Sequence, residues 1–449
     1  MCLEEDNKSK VCETINENVK TQTAAFYYHL SRIFHLPSLH KTTFSFLERW
    51  FPMVIETKGF LELEVSLILK IFASSYLKID SEVEIFNAAN KWLNQNVEER
   101  SKFARKLLLK VRLNLLSEPC LKYLINEFSW ISTDDDCLKV LKNRDIFYQN
   151  DSATCNKSRH CIQSLFNVLI CGGRNTRDNL AMNQVKEFLG YHLEEVKDPP
   201  QMLNERFCCT AICFRGEAYV FAGIGSEGNR LTSVEKYCPV KKTWSHVFDI
   251  PDDRQYFCCC AFMRKIFICG GHSITSSSLN SCLVYDSETL IWSKQVAEMS
   301  VTRSNAACAV YEGNIAVSGG QDRNSNGLRT IESYDPFADT WTLMPNMIEE
   351  RYQHSLVCVR SKLFAIGGAN LNTKGEVFDR ISNKFVTIET VKFRSYGINA
   401  ISIANNILVF HNRSTDLLIY DTDNDIWTIQ KFEFTKQIFN FCLLKLPMY

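Results

Sequence analysis

Apolar residues follow two different periods along this chain, and the change falls near residue 150. In the first part the period is helical: Ile85, Phe86, Ala89, Trp92 and Leu93 fall at i, i+1, i+4, i+7 and i+8, one face of a helix. Leu67, Ile68, Ile71 and Phe72 form a second face, and Phe103, Leu107, Leu108 and Val111 a third. Leu121, Leu124 and Ile125 form a fourth after Ser117 and Pro119. Ser81, with Glu84 three residues on, predicts a capping box at the start of the first of these helices. Gly59 is the only glycine before Gly172, as suits helices. These features predict an all-α domain over residues 15–148, with residues 1–14 as a tail or the remnant of a preceding domain.

Residues 149–164 are polar and aperiodic, which predicts a linker. Beyond them come short runs rich in Val, Ile, Phe, Tyr and Cys, separated by Gly, Asn, Ser and Asp, the pattern of strands and turns. A glycine closing an apolar run recurs at Gly173, Gly223, Gly271, Gly320 and Gly368, with steps of 50, 48, 49 and 48. A period near 50 means a repeat array. In each later unit two aromatics stand seven residues apart: Tyr237 and Trp244, Tyr285 and Trp292, Tyr334 and Trp341, Phe378 and Phe385, Tyr420 and Trp427. Each unit reads as four strands, A to D from the inside out, which is a propeller blade whose paired aromatics fill the wedge to its neighbour. The apolar runs give six B strands but five internal A strands, at about 207–214, 256–263, 304–311, 353–360 and 396–404. The first blade therefore lacks an inner strand, and the tail QIFNFCLLKL at 437–446 has the pattern to supply it and close the ring. The second domain is thus an all-β, six-bladed propeller over 165–449.

Composition narrows the functional classes. Lys plus Arg (51) equals Asp plus Glu (51), so no global field draws the chain to nucleic acid or an anionic membrane. The start, MCLEEDNKSK, lacks the basic and apolar regions of a signal peptide, and no apolar run approaches the ~18 residues of a membrane span. Nineteen cysteines without a CxxC pair or a histidine at ligand spacing read as small buried hydrophobes in a reducing compartment. GxSxG, HExxH and Walker patterns are absent, and GIGSEGNR (223–230) follows a strand without opening a helix, so it does not cradle phosphate. His272 and His411 directly follow B strands but lack converging partners for a copper centre. No enzyme, cofactor or metal is expected, and a binding surface is what remains.

The glycine pairs, the aromatic spacing and an arginine at each blade entrance (Arg206, Arg254, Arg303, Arg351, Arg394) resemble kelch repeats over roughly the last 285 residues. Ala222 replaces one glycine, Val409–His411 lacks the pair, and blade one has no Trp after Phe188. SEVEIFNAANKWL (81–93), EER (98–100) and LLLKVRLNLLS (107–117) resemble a BACK domain, with DDDCLKVLKNRDIFY (134–148) as its closing helix. This is the organisation of kelch-like proteins, which normally begin with a BTB domain that dimerises and holds a cullin; here at most KVCETI (10–15) resembles its last helix. The resemblance implies a non-enzymatic adaptor that binds a target protein through the propeller for a cullin-RING ubiquitin ligase. An actin-binding scaffold is the alternative. Either implies a cytoplasmic protein, with cytoskeletal or nuclear association as variants.

Strand alternation brings the B–C and D–A loops to one rim, and loop faces of rigid scaffolds usually carry binding. The entrance arginines stand beside aromatics there, Arg254 near Tyr256, Arg351 beside Tyr352 and Arg394 near Tyr396, and Arg and Tyr dominate interface energetics. With Arg174, Arg230, Arg323 and Arg413 from the B–C loops they predict a basic rim suited to an acidic peptide, diluted by Asp178, Glu227, Asp252, Asp253 and Asp322.

Overall fold

The computed structural model describes residues 19–20, 22–77, 79, 82–113, 116, 118–142, 166–175, 177–189, 193–293, 296–359, 362–368, 375–388, 397–403, 405–411, 416–431 and 438–447. The chain divides into two compact units, Met1–Ile162 and Gln163–Tyr449. The segment KVCETI, the linker and residues 143–148 of the expected closing helix lie outside the described residues.

The first unit is helical, with longer helices at Ala24–Ile33, Pro37–Arg49, Val65–Ala73, Val83–Asn94, Glu118–Glu127 and Asp135–Lys142. The apolar faces read from the sequence point inward: Leu67, Ile68, Ile71 and Phe72 are buried, as are Ile85, Phe86, Ala89, Trp92 and Leu93. Phe51 meets Phe60 and Phe72 edge-on, at centroid distances of 6.2 and 6.0 Å. The Trp92 indole N–H donates to the Leu63 carbonyl at 2.9 Å, so a ring that must be buried keeps its one donor satisfied. The N-cap of Val83–Asn94 is Glu82, one residue later than the capping box sets it, and Ser81 lies outside the described residues.

The second unit is a ring of six four-stranded antiparallel sheets. Five are continuous in sequence, at 210–249, 258–293, 307–344, 355–387 and 398–431. The sixth is closed by the C-terminus: Cys442–Pro447 pairs antiparallel with Phe166–Cys171, from Phe166↔Pro447 to Cys171↔Cys442, as its inner strand. Each aromatic pair proves to be a direct cross-strand pair of the C and D strands, from Tyr237↔Trp244 to Tyr420↔Trp427, with ring centroids 4.8–5.3 Å apart. These rings pack on the preceding blade, and two indoles also bond across to it, Trp244 Nε1 to the Pro200 carbonyl at 2.9 Å and Trp341 Nε1 to that of Ala297 at 2.8 Å.

The glycine pairs set the blade-to-blade approach. A Cβ on Gly270 would lie 2.3 Å from the Arg303 carbonyl oxygen of the next blade, the same oxygen that accepts from Gly271 N–H at 2.9 Å. In the second blade Ala222 adopts φ +52° in place of the first glycine, and the Gly223 N–H instead meets the Gln255 side-chain oxygen at 3.1 Å. The described cysteines are free thiols, and buried ones are held protonated: Cys209 by its contact with Cys442, sulfur to sulfur 3.3 Å, and then by burial, and Cys442 by burial and then by the neighbouring Cys171.

Two buried histidines make this unit acid-sensitive. His354 has Nε2 2.7 Å from Ser318 Oγ, and burial, then the charges of Arg351 and Arg303, push its pKa down to about 3. Burial pushes His411 down to about 4. The unfolded chain binds a proton at each below pH 6.5 while the folded chain does not, so stability falls as pH drops through that value. The loss at pH 5 is about 2 kcal/mol per histidine. Denaturant titrations at pH 7 and pH 5 should therefore show His354→Gln losing about 2 kcal/mol less than the parent, and equal losses would mean that His354 takes up its proton in the fold.

Candidate protein-interaction site

Chain direction reverses at every strand, so the B–C and D–A loops share one rim of the propeller. The two loop types are zipped together: Gln255 and His272 exchange N–H···O bonds of 2.8 and 2.7 Å, and Ser304 and Gln321 do the same at 3.0 and 2.8 Å. One residue further on, the chain turns through a left-handed residue before each inner strand begins. These residues are Cys208, Tyr256, Asn305, Gln353, Gly397 and Asn440, with φ between +53° and +74°. Backbone bonds run from one blade to the next through them: Cys208 N–H to the Asn440 carbonyl at 2.9 Å, Asn305 to Tyr256 at 2.8 Å, Gln353 to Asn305 at 2.9 Å. They encircle the mouth of the central channel, one per blade. Left-handed backbone at non-glycine residues costs about 1–2 kcal/mol each and persists where surrounding structure enforces it.

The four described entrance arginines, Arg206, Arg254, Arg303 and Arg351, do not reach that surface. Arg206, Arg303 and Arg351 are fully buried, and Arg254 is 2% exposed. Each points under the rim and holds two loops to the sheet. Arg303 Nη1 donates to the Gly319 and Thr330 carbonyls at 2.7 and 3.1 Å, and Nη2 pairs with Glu332 at 2.7 Å. Glu332 is itself buried and accepts the backbone N–H groups of Ser300 and Val301. Arg206 repeats the arrangement with Glu235, and Arg351 with Glu376. In the third blade Leu283 stands where the others carry Glu, and Asp252 supplies the carboxylate to Arg254 Nη2 at 2.7 Å. The expectation that these four arginines contact a partner is therefore corrected: they brace the loops. A guanidinium's five donors in a planar fork suit this work of gathering carbonyls and a carboxylate.

The remaining candidates differ in access. Tyr256 and Tyr352 are half-buried at the rim, Arg174 and Arg230 are half-buried beside the mouth, and Arg323 is exposed. Arg394, Tyr396 and Arg413 lie outside the described residues. Arg174 stacks its guanidinium on the buried Phe207 ring at 3.8 Å. Arg230 Nη2 lies 2.9 Å from His272 Nδ1, and burial, then that cation, hold the imidazole pKa below its usual value. A ring nitrogen facing a guanidinium is a poor metal ligand, and among the described residues no cluster of His, Cys, Asp or Glu could hold an ion. Burial above all, with the neighbouring Cys208, pushes the Tyr256 hydroxyl up to about 12.

The helical unit carries a second candidate surface. Phe26, Ile33 and Phe34 of its first helix and cap are 55–60% exposed. An open surface groove of about 700 Å³ lies between this hairpin and Glu64, lined also by His29, Arg32, His35, Pro37 and His40. Among the described residues no helix is long and apolar enough to cross a membrane.

Both halves of the chain match known families. Residues 25–126 match the family described as BACK, "BTB And C-terminal Kelch", and residues 159–368 match the "KLHDC2/KLHL20/DRC7 Kelch-repeats domain". Neither description is that of an enzyme. Similar proteins include Kelch-like protein 7 of Rattus norvegicus, 24% identical over 436 residues that cover 93% of this chain and 72% of that protein. Kelch-like protein 25 of Xenopus tropicalis is 23% identical over 447 residues, covering 94% and 74%. Kelch-like protein 35 of Mus musculus is 24% identical over 400 residues, covering 88% and 60%.

Proposed function

We propose that this chain, a member of the kelch-like family by its BACK domain and kelch propeller, is a non-enzymatic adaptor that presents a target protein to a cullin-RING ubiquitin ligase. The observation that carries the capture half of this reading is the braced rim. Buried arginines fix the B–C and D–A loops, so the half-exposed and exposed side chains above them are offered on a backbone that has little ordering left to lose on binding. The scaffold half rests on the hairpin Ala24–Ile33 and Pro37–Arg49, whose exposed Phe26, Ile33 and Phe34 are the apolar anchors that a helix of a partner would cover.

The test has two arms. Purified chain should bind a cullin N-terminal fragment weakly, should bind it better when fused behind a BTB domain, and should lose it on Phe26→Ala with Phe34→Ala. Target binding should fall about thirtyfold, about 2 kcal/mol, on Tyr352→Ala with Arg323→Ala, while Lys241→Ala on the opposite rim leaves it unchanged. Failure to bind a cullin with or without the BTB domain, together with co-sedimentation with F-actin, would replace this reading with a cytoskeletal one.

A further inference from the structure

The sequence holds a single Asn-Gly pair, Asn326–Gly327, and the fold sets it in the B–C loop of the fourth blade, between the strands Asn314–Ser318 and Ile331–Asp335. Asparagine before glycine is chemically labile. The backbone nitrogen of the second residue can attack the side-chain carbonyl of the first, and glycine has no Cβ to hinder that approach. In a folded chain the reaction needs an exposed site, a free nitrogen and a side chain that can reach it.

Asn326 is exposed and Gly327 half-buried. Both neighbouring backbone donors are engaged, Asn326 N–H with Asp322 Oδ1 at 2.9 Å and Leu328 N–H with the Gly320 carbonyl at 2.9 Å. The Gly327 N–H donates to no acceptor among the described residues, so the attacking nitrogen is free. Nor does the fold require a glycine here. Gly327 lies outside the left-handed region, and the nearest atoms that a Cβ would meet, at 3.3 Å, belong to the exposed side chain of Glu350.

One contact restrains the side chain. Asn326 Nδ2 donates to Asp322 Oδ2 at 3.0 Å, and this bond, then the Asn326 N–H, holds the Asp322 carboxyl below its usual range. Asp322 in turn organises the loop: its carboxylate also accepts the Asn324 N–H at 2.8 Å, and its own N–H donates to the Asn326 carbonyl at 3.1 Å.

We propose that Asn326 deamidates in the folded chain and that the acidic product unlatches this loop. The Gly327 nitrogen loses its proton and bonds to Asn326 Cγ, the bond from Cγ to Nδ2 breaks, and the side-chain nitrogen leaves as ammonia. Water then opens the cyclic imide at either of its carbonyls, giving aspartate at position 326 or, with an extra methylene in the backbone, isoaspartate. Both products replace the hydrogen bond to Asp322 by a second carboxylate facing it. Isoaspartate also displaces the carbonyl that accepts from the Asp322 N–H. The new charge falls in the loop that carries Arg323, beside the Tyr352 ring. This chemistry does not depend on whether the rim captures a target.

The test ages the full chain at neutral pH, follows every asparagine by peptide mass spectrometry and measures hydrogen exchange on the same samples. Asn326 should convert ahead of every other asparagine, faster as pH rises, and chiefly to isoaspartate. Gly327→Ala should slow the conversion about tenfold. Asp322→Ala should quicken it about threefold, the worth of one exposed hydrogen bond. Melting temperatures check that both variants stay folded. In the converted fraction the Asn324 amide should lose its protection from exchange. An Asn326 amide that persists in the folded chain while the free peptide QDRNSNGLRT converts, or a rate indifferent to Gly327→Ala, overturns the site. Conversion that leaves the Asn324 amide protected overturns the unlatching.

Discussion

A chain ending at residue 437 is expected to lose the cooperative melting of the propeller altogether, rather than to fray at one blade. The missing strand, Cys442–Pro447, is the inner strand of the first blade, and its two faces belong to two different seams. Phe441 and Leu443 pack with Ile403, Phe410 and Leu417 of the last blade. Cys442, Leu444 and Leu446 pack with Val220, Tyr237 and Trp244 of the second. Burying a large apolar side chain contributes about 1.5–3 kcal/mol, so these residues together supply about as much as the 5–15 kcal/mol that separates a folded domain from its unfolded chain. The six backbone pairings with Phe166–Cys171 go with them and leave a bare inner edge. Calorimetry of the truncated chain should show the propeller transition absent, beside an unaltered helical transition. A propeller midpoint equal to that of the full chain would mean that the ring is held by the remaining seams alone.

That closing strand was readable because counting apolar runs left one inner position empty and one run over. The seven-residue aromatic spacing was equally informative, since in an antiparallel hairpin it makes Tyr237 and Trp244 direct partners. Arg206, Arg254, Arg303 and Arg351 depart from the rim expectation for a physical reason. A run such as Arg-x-aromatic is consistent with either a rim anchor or a brace, and the choice depends on what lies beneath the loop. A signal was present: Glu235 and Glu332 follow Arg206 and Arg303 by the same 29 residues, the spacing of a pair between a loop and a C strand. Its failure at Leu283 hid the pattern in the third blade, where Asp252 takes over from a neighbouring position. The left-handed ring at the mouth left still less trace. Cys208, Tyr256, Asn305 and Gln353 share a backbone conformation imposed by interblade hydrogen bonds, and no common side chain records it.

The bracing role makes its own quantitative demand. Replacing Glu332 by Ala strands the buried Arg303 cation and leaves the Ser300 and Val301 N–H groups without their acceptor. Breaking a buried ion pair from one side costs about 3–5 kcal/mol, because the survivor can neither hydrate nor find another partner. Arg303→Ala should cost a similar amount, stranding Glu332, and either change should lower the propeller midpoint by about 10 °C. The double variant Arg303→Met, Glu332→Leu removes both charges and fills the space, so it should recover most of the loss of either single change. Arg254→Ala should be milder than Arg303→Ala, since its partner Asp252 has a 26% exposed side chain and can turn to water. Thermal melts of the four variants test this order, and the target affinity of each, corrected for the folded fraction, tests the assignment. A brace changes the midpoint and leaves that affinity intact, whereas a thirtyfold loss of affinity at an unchanged midpoint would return Arg303 to the binding surface.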